Sequence, residues 1–251
     1  MKSESPTTQS DLESNRSFYD VLWAHSRLVE PDRFNTWPLV RDLVARSQRR
    51  LEVAPGLRPK LPIEGTHFVD ISEPALARLR SRAASATLQS VTALSFADAE
   101  FDLICAFDIV EHVDDEDGTF DELDRVCAPG GALILSVPLH PSQWTAFDDF
   151  VGHRRRYEPE RLVQILAKHG FAVECSAIHG MQPQSSWLLD FGMWGLKQKR
   201  EQAMWLYNRI LMPLGIFFQS KLSLQPGMID TTHVDTVLLV CRKRSGAASR
   251  G

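Results

Sequence analysis

Three histidines stand just past, or a little beyond, apolar runs that read as strands. His112 follows the run 101–107, His140 follows the run 132–137, and His153 lies slightly further on. An imidazole within reach of a hydroxyl proton can serve as general base, so each is a candidate catalytic residue. Asp108, Glu111 and His112 form a DxxEH pattern that sets two carboxylates beside an imidazole. Completed by His140 or His153, this set has the donors to hold Mg²⁺ or a transition metal. The expectation adopted is that no metal binds, and that Asp108 and Glu111 serve a ligand pocket and a helix start.

A second constellation concerns ligand binding. The apolar run Leu51 to Ala54 ends in Pro55-Gly56, and the run Thr66 to Val69 ends in Asp70. Strand, tight turn, crossover and strand make the first unit of a doubly wound α/β sheet, which binds nucleotide-like ligands past the carboxyl ends of its strands. Glycine lets the backbone come close to the ligand, and an acid ending the second strand can accept hydrogen bonds from two ribose hydroxyls. A dinucleotide fingerprint has three glycines; here Ala54, Gly56 and Arg58 hold the alternating positions. Alone, the pattern reads better as a glycine turn and a surface acid.

The remaining elements complete such a sheet. Ser17 to Leu28 has helical apolar spacing, and Pro38 opens a second helix striped by Leu39, Val40, Leu43 and Val44. These two helices either cover an edge of the ligand cleft or pack on the sheet. Ser72 caps the next helix, and a weak third strand is expected near Leu88 to Val91. Phe101 to Phe107 is the fourth strand. Asp114 to Asp117 lead a helix striped by Phe120, Leu123 and Val126, and Ala132 to Val137 is a strand buried on both faces. Glu158-Pro159 starts a helix that Gly170 stops. Phe171 to Ile178 and Val234 to Cys241 bring the count to seven strands.

At 251 residues, with 43% hydrophobic and 24% charged residues, the chain suits one globular domain. Residues 1–16 read as a disordered tail, 17–244 as the domain with N-terminal helices over 17–48, and 245–251 as a flexible tail. A net charge of −4 gives no general attraction to nucleic acid. The four scattered cysteines contain no CxxC pair, which points to a reducing, cytoplasmic setting without structural zinc. No apolar signal core opens the chain.

The ordered set LEVAPG, FVDIS, LSFADAEFDLICAFDIVEHV and RVCAPGGALILSVP resembles class I S-adenosylmethionine-dependent methyltransferases, most closely the broad small-molecule group. The resemblance implies a Rossmann-like seven-stranded sheet, mostly parallel, with an antiparallel last strand. It implies S-adenosyl-L-methionine as cofactor and a small, partly apolar acceptor, with oxygen as the first choice of acceptor atom. Glu52, Ala54 and Gly56 match the turn that holds the methionine end. Asp70 matches the ribose acid, and Ile71 would lie against adenine. Ser90 and Val91 fall where an acid and its neighbour commonly touch the adenine amino group. Phe107 and Asp108 line the cleft near the sulfonium. Ala54, Arg58 and Ser90 depart from the family's usual residues. The rivals are a non-catalytic protein that keeps the fold and a nicotinamide-dependent oxidoreductase.

Two further stretches carry weight. Arg154, Arg155 and Arg156 either clamp an anionic acceptor or pair with Asp148 and Asp149 to lock their loop. The aromatic insert 181–230 contains the fifteen-residue apolar stretch MWLYNRILMPLGIFF. As a helix that stretch spans about 22 Å, short of the roughly 30 Å hydrocarbon core of a bilayer. A lid over the acceptor, a dimer face and a surface resting on a membrane are the remaining uses. The lid is the expectation, with Gln182 to Trp194 as roof and Trp205 to Phe218 packed behind it. Membrane contact is not favoured, and oligomeric state is open.

Overall fold

The computed structural model describes residues 19–20, 23, 26–180 and 205–245. The proposed roof, 182–194, and nearly all of both tails lie outside them. Element order is α1 (Trp37–Val44), β1 (Arg50–Val53), β2 (Thr66–Asp70), α2 (Glu73–Arg80), β3 (Ser85–Leu88) and β4 (Phe101–Phe107). Then come α3 (Glu116–Val126), β5 (Cys127–Pro138), α4 (Ala146–Val151), α5 (Pro159–Lys168), β6 (Phe171–His179), α6 (Met212–Phe217), β7 (Gln225–Pro226) and β8 (Thr236–Lys243).

The strands form one sheet in the order β3-β2-β1-β4-β5-β8-β6-β7. β1 pairs in parallel with β2 and β4, and β4 with β5, whereas β8 runs antiparallel to both β5 and β6. This is the expected doubly wound sheet, with the two-residue β7 added at the edge beyond β6. The third strand lies at Ser85–Leu88, ahead of the expected Leu88–Val91, so Ser90 and Val91 fall in the turn after it. Ser85 and Leu88 are exposed and their neighbours half-buried, so edge pairing with β2 defines this strand more than burial does.

Alternation along the central strands divides the core. Ile104, Ala106, Leu133 and Leu135 face α3 and α5, meeting Phe120, Leu123 and Leu162. Leu103, Cys105, Ile134 and Leu238 face Val40 of α1 on the other side. Each such side chain contributes about 1.5–3 kcal/mol when fully buried. The glycine turn, Asp70 and Asp108 therefore lie at the carboxyl ends of buried interior strands. Among the described residues, no helix is long and apolar enough to cross a membrane.

Candidate active site

Strand ends build the site. Ala54 after β1, Asp108 after β4 and His140 after β5 all adopt left-handed backbone, with φ of 53°, 49° and 57°. Such a conformation costs a non-glycine residue about 1–2 kcal/mol, and strain of this kind collects where a ligand or a reaction demands it. Gly56, at φ 54°, is required twice over: a Cβ there would run into the ring of Trp23.

Asp70 anchors the turn. Its Oδ2 accepts from the Gly56 N–H at 2.9 Å, and its Oδ1 accepts from the Ser72 N–H at 2.8 Å. Burial raises its pKa against those hydrogen bonds. A carboxylate has about four acceptor lone pairs, and the backbone bonds from Gly56, Ser72 and Ile71 leave acceptor capacity in this one. Ser72 makes no side-chain cap on α2, contrary to expectation; its hydroxyl donates to Asp20 at 2.6 Å instead. Buried Glu52 accepts from the backbone N–H groups of Lys60 and Leu61, each at 2.8 Å, and so ties down the crossover. Burial raises the Glu52 pKa and lowers that of Lys60 beside it. Lys60 Nζ sits 3.4 Å over the Phe34 ring and 5.7 Å over Phe107, which in turn packs edge-on against His179. Ile71 is half-buried and Val91 buried, while the Ser90 hydroxyl pairs with Thr92.

The histidines separate. His112 and His153 meet edge to face with ring centroids 4.6 Å apart. Asp148 at 2.7 Å accepts from His153 Nδ1, which leaves Nε2 as the ring's lone-pair nitrogen. Asp148 is fully buried; burial opposes its charge, but hydrogen bonds from His153, Arg156 and Thr145 hold its pKa below the usual range. His112 is pushed down to about 3 by burial and by His153, so it is neutral at pH 7. His140 does not join this group: its Nε2 lies 2.7 Å from the Thr231 carbonyl oxygen. Glu111 is buried, which raises its pKa, with nearby Asp108 adding to the shift. Among the described residues, Glu111 Oε2 and His112 Nδ1 are buried without a hydrogen-bond partner. Glu111, His112 and His153 each offer one ligand atom within 4.8 Å of the others. Asp108 stands outside that group and accepts from the Ser136 hydroxyl at 2.7 Å.

Tyr19, Trp23 and the pairing of Asp148 with His153 are not among the residues the sequence pattern singles out for the site. The Tyr19 hydroxyl lies 3.2 Å from His112 Nε2, and its ring stacks toward Trp23 at 6.4 Å. Burial, and then the charges of Glu111, Asp108 and Asp70, keep the Tyr19 hydroxyl protonated. Tyr19 and Trp23 thus lie against the Gly56 turn and His112. No local pattern announces a contact spanning 93 positions. The Asp148 to His153 spacing was visible, but the acid was matched only with arginines. Of the expected pairing of the arginines with Asp148 and Asp149, only Arg156 with Asp148 is present; Arg156 also binds Asp235, Arg154 binds Asp114, and Arg155 binds Glu116. Among the described residues, Asp149 takes no arginine and accepts from Trp144 Nε1 at 2.9 Å.

Residues 60–135 match a family described as a methyltransferase domain. A "Probable S-adenosylmethionine-dependent methyltransferase" of Mycolicibacterium smegmatis is 29% identical over 112 residues, which cover 42% of this chain and 43% of that protein. A Thermotoga maritima SAM-dependent methyltransferase superposes with a TM-score of 0.57 at 17% identity, covering 92% of this chain and 95% of the other. The O-methyltransferase of a Brevibacillus brevis multienzyme, solved with S-adenosyl-L-homocysteine, gives 0.55 at 14% identity, covering 82% and 70%. The fold is thus that of S-adenosylmethionine-dependent methyltransferases, residues 60–135 are similar to such a domain in sequence, and the chain spans less than half the length of the curated relatives it matches. The Asp70 carboxylate has the acceptor chemistry a ribose would need, whereas the Gly56 turn is covered by the Trp23 ring.

Proposed function

We propose that this protein transfers a methyl group from S-adenosylmethionine to a small, partly apolar acceptor, at oxygen. Asp70 holds the ribose, the Gly56 turn receives the methionine end, and Ile71 and Val91 flank the adenine. The cofactor supplies an electrophilic methyl on a sulfonium. The protein holds the acceptor in line with it and excludes water. A hydroxyl acceptor must lose its proton, and His153 is the base. The observation that carries this assignment is the 2.7 Å bond from His153 to buried Asp148, which fixes the tautomer with Nε2 free to accept. His112, neutral and bonded to Tyr19, shapes the wall beside it. His140 is assigned to the loop, not to the reaction.

A screen of candidate acceptors with isotopically labelled cofactor, read by mass shift, tests the activity. With an acceptor in hand, His153→Gln should lower kcat by about 10²–10⁴ while leaving S-adenosylhomocysteine affinity unchanged. An unchanged kcat would remove His153 from the reaction.

A further inference from the structure

The segment after residue 204 does not bury its aromatic side chains as expected. It runs helically through Trp205, a π-turn at Tyr207–Leu211, and α6. Phe217 is 80% exposed, Phe218 75% and Trp205 52%, and Leu206, Ile210, Leu211 and Leu214 are exposed beside them. The segment is nevertheless anchored. Met212 is buried, Arg58 donates to the Asn208 side chain at 3.1 Å, and Asn35 bonds both Gln219 and the Ser220 carbonyl. A held helix with an apolar face in water marks an interaction surface.

Immediately beside it lies a cavity of about 470 Å³ lined by Arg27, Arg78, Arg82 and Arg209 together with Trp205. Arg82 is paired with Glu30 at 2.8 Å, and the other three form no ion pair with a described residue. The basic cavity sits in a chain whose net charge is −4. Trp205 and Arg209 belong both to the cavity and to the apolar helical segment, so the two features are one surface.

We infer that this face docks on an anionic phospholipid bilayer, with Phe217 and Phe218 entering the acyl boundary and the arginine cavity receiving lipid phosphate. Apolar residues flanked by basic ones are the composition of an element lying in the membrane interface. Guanidinium groups match phosphate geometry, and a tryptophan suits the headgroup level. Self-pairing of the same face would set one basic cavity toward another. For Trp205 to Phe218 the expected packing behind a roof gives way to an outward-facing role; the roof itself, 182–194, lies outside the described residues.

Cosedimentation of the full chain with vesicles tests the assignment. Vesicles of phosphatidylcholine with phosphatidylglycerol should bind the protein, and pure phosphatidylcholine should bind it far less. Binding should weaken as salt is raised. Phe217→Ser with Phe218→Ser should lower partitioning about a hundredfold or more. Arg78→Ala with Arg209→Ala should lower it about thirtyfold on anionic vesicles, at roughly fivefold per basic residue. Circular dichroism and the melting temperature of each variant should match wild type. Equal binding of wild type and variants would overturn the inference. So would absence of vesicle binding, whether the chain dimerises through this face or takes up only free inorganic phosphate in the cavity.

Discussion

Ala54 shows what a single residue costs at this site. It ends β1 in a left-handed conformation, where the family's usual residue is glycine. Ala54→Gly should relieve about 1–2 kcal/mol of strain, offset in part by the freedom glycine gains in the unfolded chain. Urea titration should therefore show a small net stabilisation, and a loss of stability would refute the strain. Residue types at Gly56, Asp70 and the DxxEH pattern were legible in sequence because each chemistry needs its own side chain. Side-chain pairing was not. That His153 takes Asp148, while His140 turns to Thr231, is decided by where α4 and the β8 approach pack. His112 carries a pH consequence. Its pKa falls from an unfolded value near ~6.5 to about 3 in the fold. Below ~6.5 the unfolded chain binds more protons than the folded one, so stability drops by up to about 1.4 kcal/mol per pH unit as pH falls toward 3. Above ~6.5 the group contributes no slope. Denaturation curves of His112→Asn should lose this part of the acid sensitivity. An identical pH dependence in variant and wild type would place His112 in solvent.

Among elements, the strands β1, β2, β4 and β5 could be read from apolar runs, because a strand buried on both faces leaves a near-continuous signal. β3 was displaced because its burial is partial, and β7 is too short to leave a pattern. Helical spacing over Ser17 to Leu28 does not say what that stretch packs on. The structure lays Trp23 on the Gly56 turn, Tyr19 on His112 and Asp20 on Ser72. The methionine end of a cofactor on that turn requires the Trp23 ring to move aside. Stopped-flow measurements with S-adenosylhomocysteine should find both association and dissociation faster in Trp23→Ala. Unchanged association would mean that the ring does not gate the turn.

For the whole molecule, the sheet holds two unrelated surfaces in fixed relation. The cleft lies at the carboxyl ends of β1, β2 and β4, and Arg58 leads from its glycine turn to Asn208 on the exposed apolar segment. That hydrogen bond joins the glycine turn directly to the exposed apolar segment. Charge and composition set the broad class from sequence, but the joining of Arg27, Arg78 and Arg209 into one cavity needed the packing of three separate segments. The central claim is that the carboxylate of Asp70 and the turn of Gly56 bind S-adenosylmethionine. Titration calorimetry with S-adenosylhomocysteine and with NAD tests it most directly. Wild type should bind S-adenosylhomocysteine and not NAD. Asp70→Ala, which removes charge-assisted hydrogen bonds worth about 1.5–3 kcal/mol each, should bind it at least about tenfold more weakly. Equal affinity in the variant, or binding of NAD in place of S-adenosylhomocysteine by wild type, would contradict the assignment.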